Sequence, residues 1–111
     1  MAGGAGKTRQ RRVREVRLTP QAEAEVAEVR RYSRHTWGAP QAKRYLLGLG
    51  RRFQEIAAGT ATHRDAEIGN DYRRCRYRRH IIIFREERDS VRIVHVFHER
   101  MDITGRIADG I

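Results

Sequence analysis

The chain has 111 residues, enough for one domain with a single modest core that removes roughly 60 to 65% of the surface an unfolded chain exposes. Its formal charge is +10, from 24 basic and 14 acidic residues, which predicts attraction to a polyanion or to an acidic protein segment. Cys75 is the single cysteine, which excludes an internal disulfide, and no apolar run is long enough to span a membrane, so the expected location is cytoplasmic.

Residues 1–12, MAGGAGKTRQRR, are glycine-rich and basic and lack the apolar stretch of a secretion signal, which predicts a disordered basic arm. Gly4 to Thr8 reads like the end of a phosphate-binding loop, yet Met1 stands where that motif's first glycine belongs and no strand precedes it. A folded domain over 13–103 and a flexible tail over 104–111 complete the expected organisation.

Val13 to Leu18 alternates as an edge strand with one covered face does. Thr19 then offers a capping hydroxyl, Pro20 suits the first helical position, and Glu23 and Glu25 favour the positive end of the dipole, so a helix begins here. Ala22, Val26, Val29 and Ser33 recur at helical spacing, flanked by Ala27 and Tyr32, and Trp37 one turn beyond is expected to be core. Arg30, Arg31 and Arg34 load the C-terminal end. Gly38 ends this helix and Pro40 opens the next, which makes Trp37 to Pro40 a tight turn between antiparallel helices. Ala42, Tyr45, Leu46, Leu49, Phe53, Ile56 and Ala57 follow the helical spacing without a miss, and Lys43, Arg44, Arg51 and Arg52 lie mostly off that face. Gly48 and Gly50 each cost about 1 kcal/mol relative to alanine. Close packing and a weakened middle of the helix are the alternatives, the second being preferred for Gly50.

Gly59 ends the second helix, and Thr60 to Asn70 forms a polar loop whose one buried residue is expected at Ile68. Tyr72 to His80 reads as a strand in which Arg73, Cys75 and Tyr77 share a face; five arginines in seven residues make it the main cationic feature. Ile81 to Phe84 is the next strand, and Glu86 to Ser90 the turn after it. Val91 to Asp102, VRIVHVFHERMD, is apolar on both faces, with Val91, Ile93, His95 and Phe97 on one and Arg92, Val94, Val96 and His98 on the other. Such a strand belongs inside a sheet. The predicted fold class is α+β in two layers: an N-terminal strand and an antiparallel helical hairpin packed on an antiparallel sheet that a C-terminal three-stranded meander completes.

Several strings, taken in order, resemble the RelE/ParE superfamily of bacterial toxins from type II toxin–antitoxin modules, and most closely its ParE branch, the plasmid stabilisation proteins. They are Leu18-Thr19-Pro20 with Ala22, Tyr32 with Trp37-Gly38, Ala42 with Tyr45 and Leu49, Arg73, Arg79-His80-Ile81-Ile82 and, most specific, Val96-Phe97-His98-Glu99-Arg100-Met101-Asp102. The resemblance covers residues 14 to 102. It departs at His95, where the family usually has arginine, at Phe84 for tyrosine, at Arg78 for glycine, and in the loop from Gly59 to Arg64, which lacks the usual proline-glycine. The resemblance implies a toxin in a hetero-oligomer with a cognate antitoxin, whose acidic or amphipathic C-terminal segment wraps the sheet and the helical hairpin. It also implies DNA gyrase as the target and growth arrest as the outcome. RelE-like relatives instead cut mRNA in the ribosome, and an inactive copy that only binds antitoxin is the third reading.

Metal-free RNA cleavage needs a base, a cation over the phosphorane and an acid on one surface. The candidates for those roles are Arg73, Arg76, Tyr77, His80, His95, His98 and Glu99, with Arg73, Arg76, His95 and His98 as the catalytic set for that alternative, and strand alternation brings no unambiguous trio to one face. Antitoxin or target binding is assigned to Arg73, Arg74, Arg76, Arg79, His95 and Arg100. The cationic strand is read first as a seat for an acidic antitoxin tail. Trp37, Gly38, His98, Arg100, Met101 and Asp102 form the structural motif, with His98 bonded to a backbone group and Arg100 paired with Asp102. Neither a metal nor another cofactor is expected, because the histidines lack metal-ligand spacing.

Overall fold

The computed structural model describes residues 13–67, 69 and 71–100. Its elements are β1 (Glu15–Leu18), α1 (Pro20–Trp37), α2 (Ala39–Ala58), β2 (Arg64–Asp65), β3 (Tyr72–Tyr77), β4 (His80–Glu86) and β5 (Ser90–His98). The sheet order is β1-β5-β4-β3-β2. The C-terminal meander is antiparallel, as the sequence predicts, but β1 joins β5 in parallel, so the sheet is mixed. A strand that returns only after two helices is free to enter in either sense, and alternation in Val13 to Leu18 carries no information about which. Ile68, expected to be buried, lies outside the described residues, as do the N-terminal arm and the tail.

Local chemistry explains the elements. Thr19 Oγ1 accepts from the Ala22 N–H at 3.1 Å, closing the first turn of α1. Gly38 stands alone between the helices with φ 89, a backbone that favours glycine, and Pro40 sits in the first turn of α2. Arg14 then ties the start of the domain to the end of α2, its guanidinium donating to the carbonyls of Ile56 and Ala57 at 3.2 Å each and to Glu86 at 2.8 Å.

The main core lies between the helices and the sheet. Val29, Tyr45, Leu49, Phe53 and Ile56 meet Cys75, Tyr77, Ile82, Phe84, Val91, Ile93 and Val96. Ile81, Ile83, Val94, Phe97 and Ala66 form a smaller cluster on the other face. That division corrects the simple alternation expected of β5. His95 pairs with Ile83 and Ile93 with Phe84, leaving Val94 as the extra residue of a bulge. Beyond it the phase reverses, so Val96 faces the helices and Phe97 faces away.

Two further corrections concern aromatic and turn residues. Trp37 is not core: 40% of it is exposed, and it leans on Tyr45 at a centroid distance of 5.6 Å. The cationic strand ends at Tyr77, because Arg78 adopts φ 51 and turns the chain into β4. No glycine or asparagine marks that turn.

The glycines of α2 divide as well. A Cβ at Gly48 would collide with the Tyr77 hydroxyl, whereas one at Gly50 would meet nothing. Gly48→Ala is therefore expected to lose about 1 to 3 kcal/mol through overpacking, and Gly50→Ala to gain about 0.5 to 1 kcal/mol from helix propensity. Urea unfolding of the two variants beside the parent checks this; equal effects would contradict the packing described.

Candidate functional site

The pleat of β3 splits the arginines predicted to bind. Arg73 is half-buried and shares the helix-facing side with Cys75 and Tyr77, whereas Arg74 and Arg76 pair with Ile83 and Ile81 on the other side. At the β3–β4 turn, Arg76 donates to Glu99 at 2.6 Å and to the Arg78 carbonyl at 3.0 Å, and Arg79 lies 3.6 Å from the same carboxylate. The bond from Arg76 holds the Glu99 carboxyl below the usual range. Arg76 and Arg79 therefore converge on Glu99, Arg74 and Arg76 line one cavity on the far face with His63 and Arg64, and Arg73 stands on the opposite side of the strand. The Arg100 N–H donates to His98 Nδ1 at 3.2 Å, the backbone bond expected of that imidazole. Met101 and Asp102 lie outside the described residues, and with them the expected Arg100–Asp102 pair.

The histidines occupy separate environments. His95 is buried, with 4% exposed, its Nδ1 3.1 Å from Glu25 of α1 and its ring stacked on Phe97. The Val96 N–H donates to the same carboxylate at 2.8 Å. His80 is buried beneath Tyr45. The Tyr45 hydroxyl accepts from the Arg79 N–H at 3.3 Å and shares a 2.7 Å hydrogen bond with His80 Nδ1. His98 sits edge-on to His80 at 5.4 Å and half-buried. Burial, and then the neighbouring His98, lower the His80 pKa to about 4.

The folded domain thus holds fewer protons at His80 than the unfolded chain does between about pH 4 and 6.5. The stability linked to neutral His80 is fully present above pH 6.5 and is lost as pH falls toward 4, by about 3 kcal/mol. Unfolding midpoints across that window, compared with His80→Gln, check the assignment. The variant's profile is expected to be flatter, and coincident profiles would contradict it.

These positions leave the ribonuclease candidates dispersed. Arg73 and Arg76 face opposite sides of the sheet, His95 is enclosed against Glu25, and His98 backs onto a neutral imidazole. Cys75 is buried too; burial pushes its thiol pKa up, with Arg52 opposing. Among the described residues, no group of three or more histidine, cysteine and acidic side chains could hold a metal. No described helix is long and apolar enough to cross a membrane.

Periodicity alone did not find a second feature, a groove of about 510 Å³ along the helical hairpin. Val26, Leu46, Leu47 and Phe53 give it apolar walls, and Arg30, Arg34 and Lys43 surround them. Leu47 is 58% exposed. The signal in the sequence was a leucine outside the buried stripe, opposite arginines one helical turn apart on α1.

The comparisons with known proteins agree with this architecture. Residues 16–103 match the family model described as the ParE toxin of the type II toxin–antitoxin system, parDE. The chain is 34% identical over 94 residues to Toxin ParE of Escherichia coli, covering 83% of this chain and 91% of that protein. In fold it is similar to a solved structure, the chromosomal ParDE TA system from P. aeruginosa, with a TM-score of 0.66 over 78% of this chain and 96% of the other at 14% identity.

Proposed function

This chain belongs to the ParE toxin family of type II toxin–antitoxin systems, and from that membership we propose that it arrests growth by binding DNA gyrase rather than by cutting RNA. The observation that supports the choice is the dispersal of Arg73, Arg76, His95 and His98, which do not bring a base, a cation and an acid together within hydrogen-bond reach of one another. Inhibition by binding needs only a surface. A cognate antitoxin silences the toxin by laying an amphipathic segment in the hairpin groove, its apolar side against Val26, Leu46, Leu47 and Phe53 and its acidic side toward Arg30, Arg34 and Lys43. The groove's combination of an apolar floor and a cationic rim supports that occupant. With gyrase and an antitoxin as its partners, the proposed location is the bacterial cytoplasm. In cells, induction is expected to trigger a DNA-damage response while message stays intact; early mRNA cleavage without DNA damage would overturn the proposal.

A further inference from the structure

A second cavity lies beside the α1–α2 turn, where that turn meets the β3–β4 turn, and shares no lining residue with the hairpin groove. It has a volume of about 300 Å³, and its walls include Trp37, Tyr45, Tyr77, Arg44, Arg78 and Arg79. The rings form a continuous series: Trp37 to Tyr45 at 5.6 Å and Tyr45 to Tyr77 at 5.1 Å between centroids. The charge beside them is almost uncompensated. Arg44 is steadied by Gln41 at 2.6 Å and Arg78 lies over the Tyr77 ring at 5.8 Å, and neither makes an ion pair among the described residues. Among the described residues Arg79 pairs with Glu99 alone, at 3.6 Å.

Exposed guanidiniums without carboxylate partners recognise anions through paired N–H donors. An acidic peptide would satisfy them, but it would leave the indole unused. Trp37 keeps 40% of its surface exposed beside the cations, with the buried Tyr45 and Tyr77 beneath it, and an exposed ring among arginines matches a ligand that offers both phosphate and a planar ring. A duplex keeps its bases stacked on one another, so only an unpaired strand offers them.

We infer that this cavity is a binding site for single-stranded nucleic acid, with a base on Trp37 and backbone phosphates on Arg44, Arg78 and Arg79. The site is separate from the hairpin groove and does not rest on the gyrase proposal. It gives Arg79, read from the sequence as a contact for antitoxin or target, a nucleic-acid partner instead, together with Arg44 and Arg78.

Trp37 is the single tryptophan of the chain, so its fluorescence reports the site directly. The purified full chain is titrated with an octathymidylate, with an abasic strand of equal charge, and with polyglutamate. The octathymidylate is expected to quench the emission by at least half, the abasic strand to bind more weakly with little quenching, and polyglutamate to bind at least tenfold more weakly. If three phosphates are neutralised, affinity falls about ten- to twentyfold between 50 and 200 mM salt. Arg44→Gln and Arg78→Gln, both at exposed positions, should each weaken binding at least threefold and flatten the salt dependence. Arg88→Gln, at the opposite end of the sheet in the β4–β5 turn, removes the same charge and should leave both unchanged. Equal binding of polyglutamate, indifference to Arg44→Gln and Arg78→Gln, or an equal loss in Arg88→Gln would overturn the inference.

Discussion

Glu25→Ala is expected to lose about 3 kcal/mol or more of folding stability, a large effect for one partly buried side chain. The reason lies at the open edge of β5. β1 pairs with that strand only as far as the Leu18–Ile93 register, and Thr19 continues by donating its N–H to the Ile93 carbonyl at 3.0 Å. From there no strand among the described residues neighbours the edge, and Glu25 of α1 takes the Val96 N–H at 2.8 Å and lies 3.1 Å from His95 Nδ1, with only 12% of its side chain exposed. Removing the carboxylate strands a buried amide and a buried imidazole, at about 1 to 3 kcal/mol each. Glu25→Gln keeps an acceptor for the amide and should lose less. Denaturant unfolding of the two variants measures the difference, and a change below about 0.5 kcal/mol in Glu25→Ala would show that the edge is closed by something else.

Leu47→Glu is expected to weaken antitoxin binding by on the order of a hundredfold, about 2.7 kcal/mol, while leaving the toxin as stable as the parent. Leu47 is 58% exposed in the free protein, so its replacement disturbs little of the core, yet it stands on the wall of the groove where an apolar helix face would seat. The introduced carboxylate would be desolvated in the complex and would repel an acidic segment. Arg30→Gln and Arg34→Gln, on the rim, should act mainly through a slower association rate and a reduced dependence on salt. Calorimetry with the purified antitoxin segment reads the first effect and rapid mixing the second. Affinity for Leu47→Glu within threefold of the parent would remove the groove from the interface.

The helices were legible because their signals are local. Thr19-Pro20 starts α1, Gly38 and Gly59 end the helices, and every apolar residue predicted on α2 is buried or half-buried. The sheet was legible only in part. The faces of β3 followed from alternation, but the bulge at Val94 depends on pairing with β4, which one strand's pattern does not encode. Arg78 hides the β3–β4 turn because an arginine occupies a left-handed position there. Trp37 was taken for core because it follows the α1 stripe by one turn, yet the stripe ends at Ser33 and the chain reverses at Gly38 before the ring can be covered. The site was least legible, since the partnership of His95 with Glu25 and the meeting of Arg44 with Arg78 join residues far apart in sequence. Composition announced the positive charge without saying where it gathers.

The most direct test of the account is supercoiling by purified DNA gyrase in the presence of the purified toxin, run beside a ribosome-bound message. Supercoiling is expected to stop, or cleaved DNA to be trapped, while the message remains whole. Addition of the antitoxin should restore supercoiling, and Leu47→Glu should resist that rescue. Gyrase working undisturbed while ribosome-bound mRNA is cut would contradict the account.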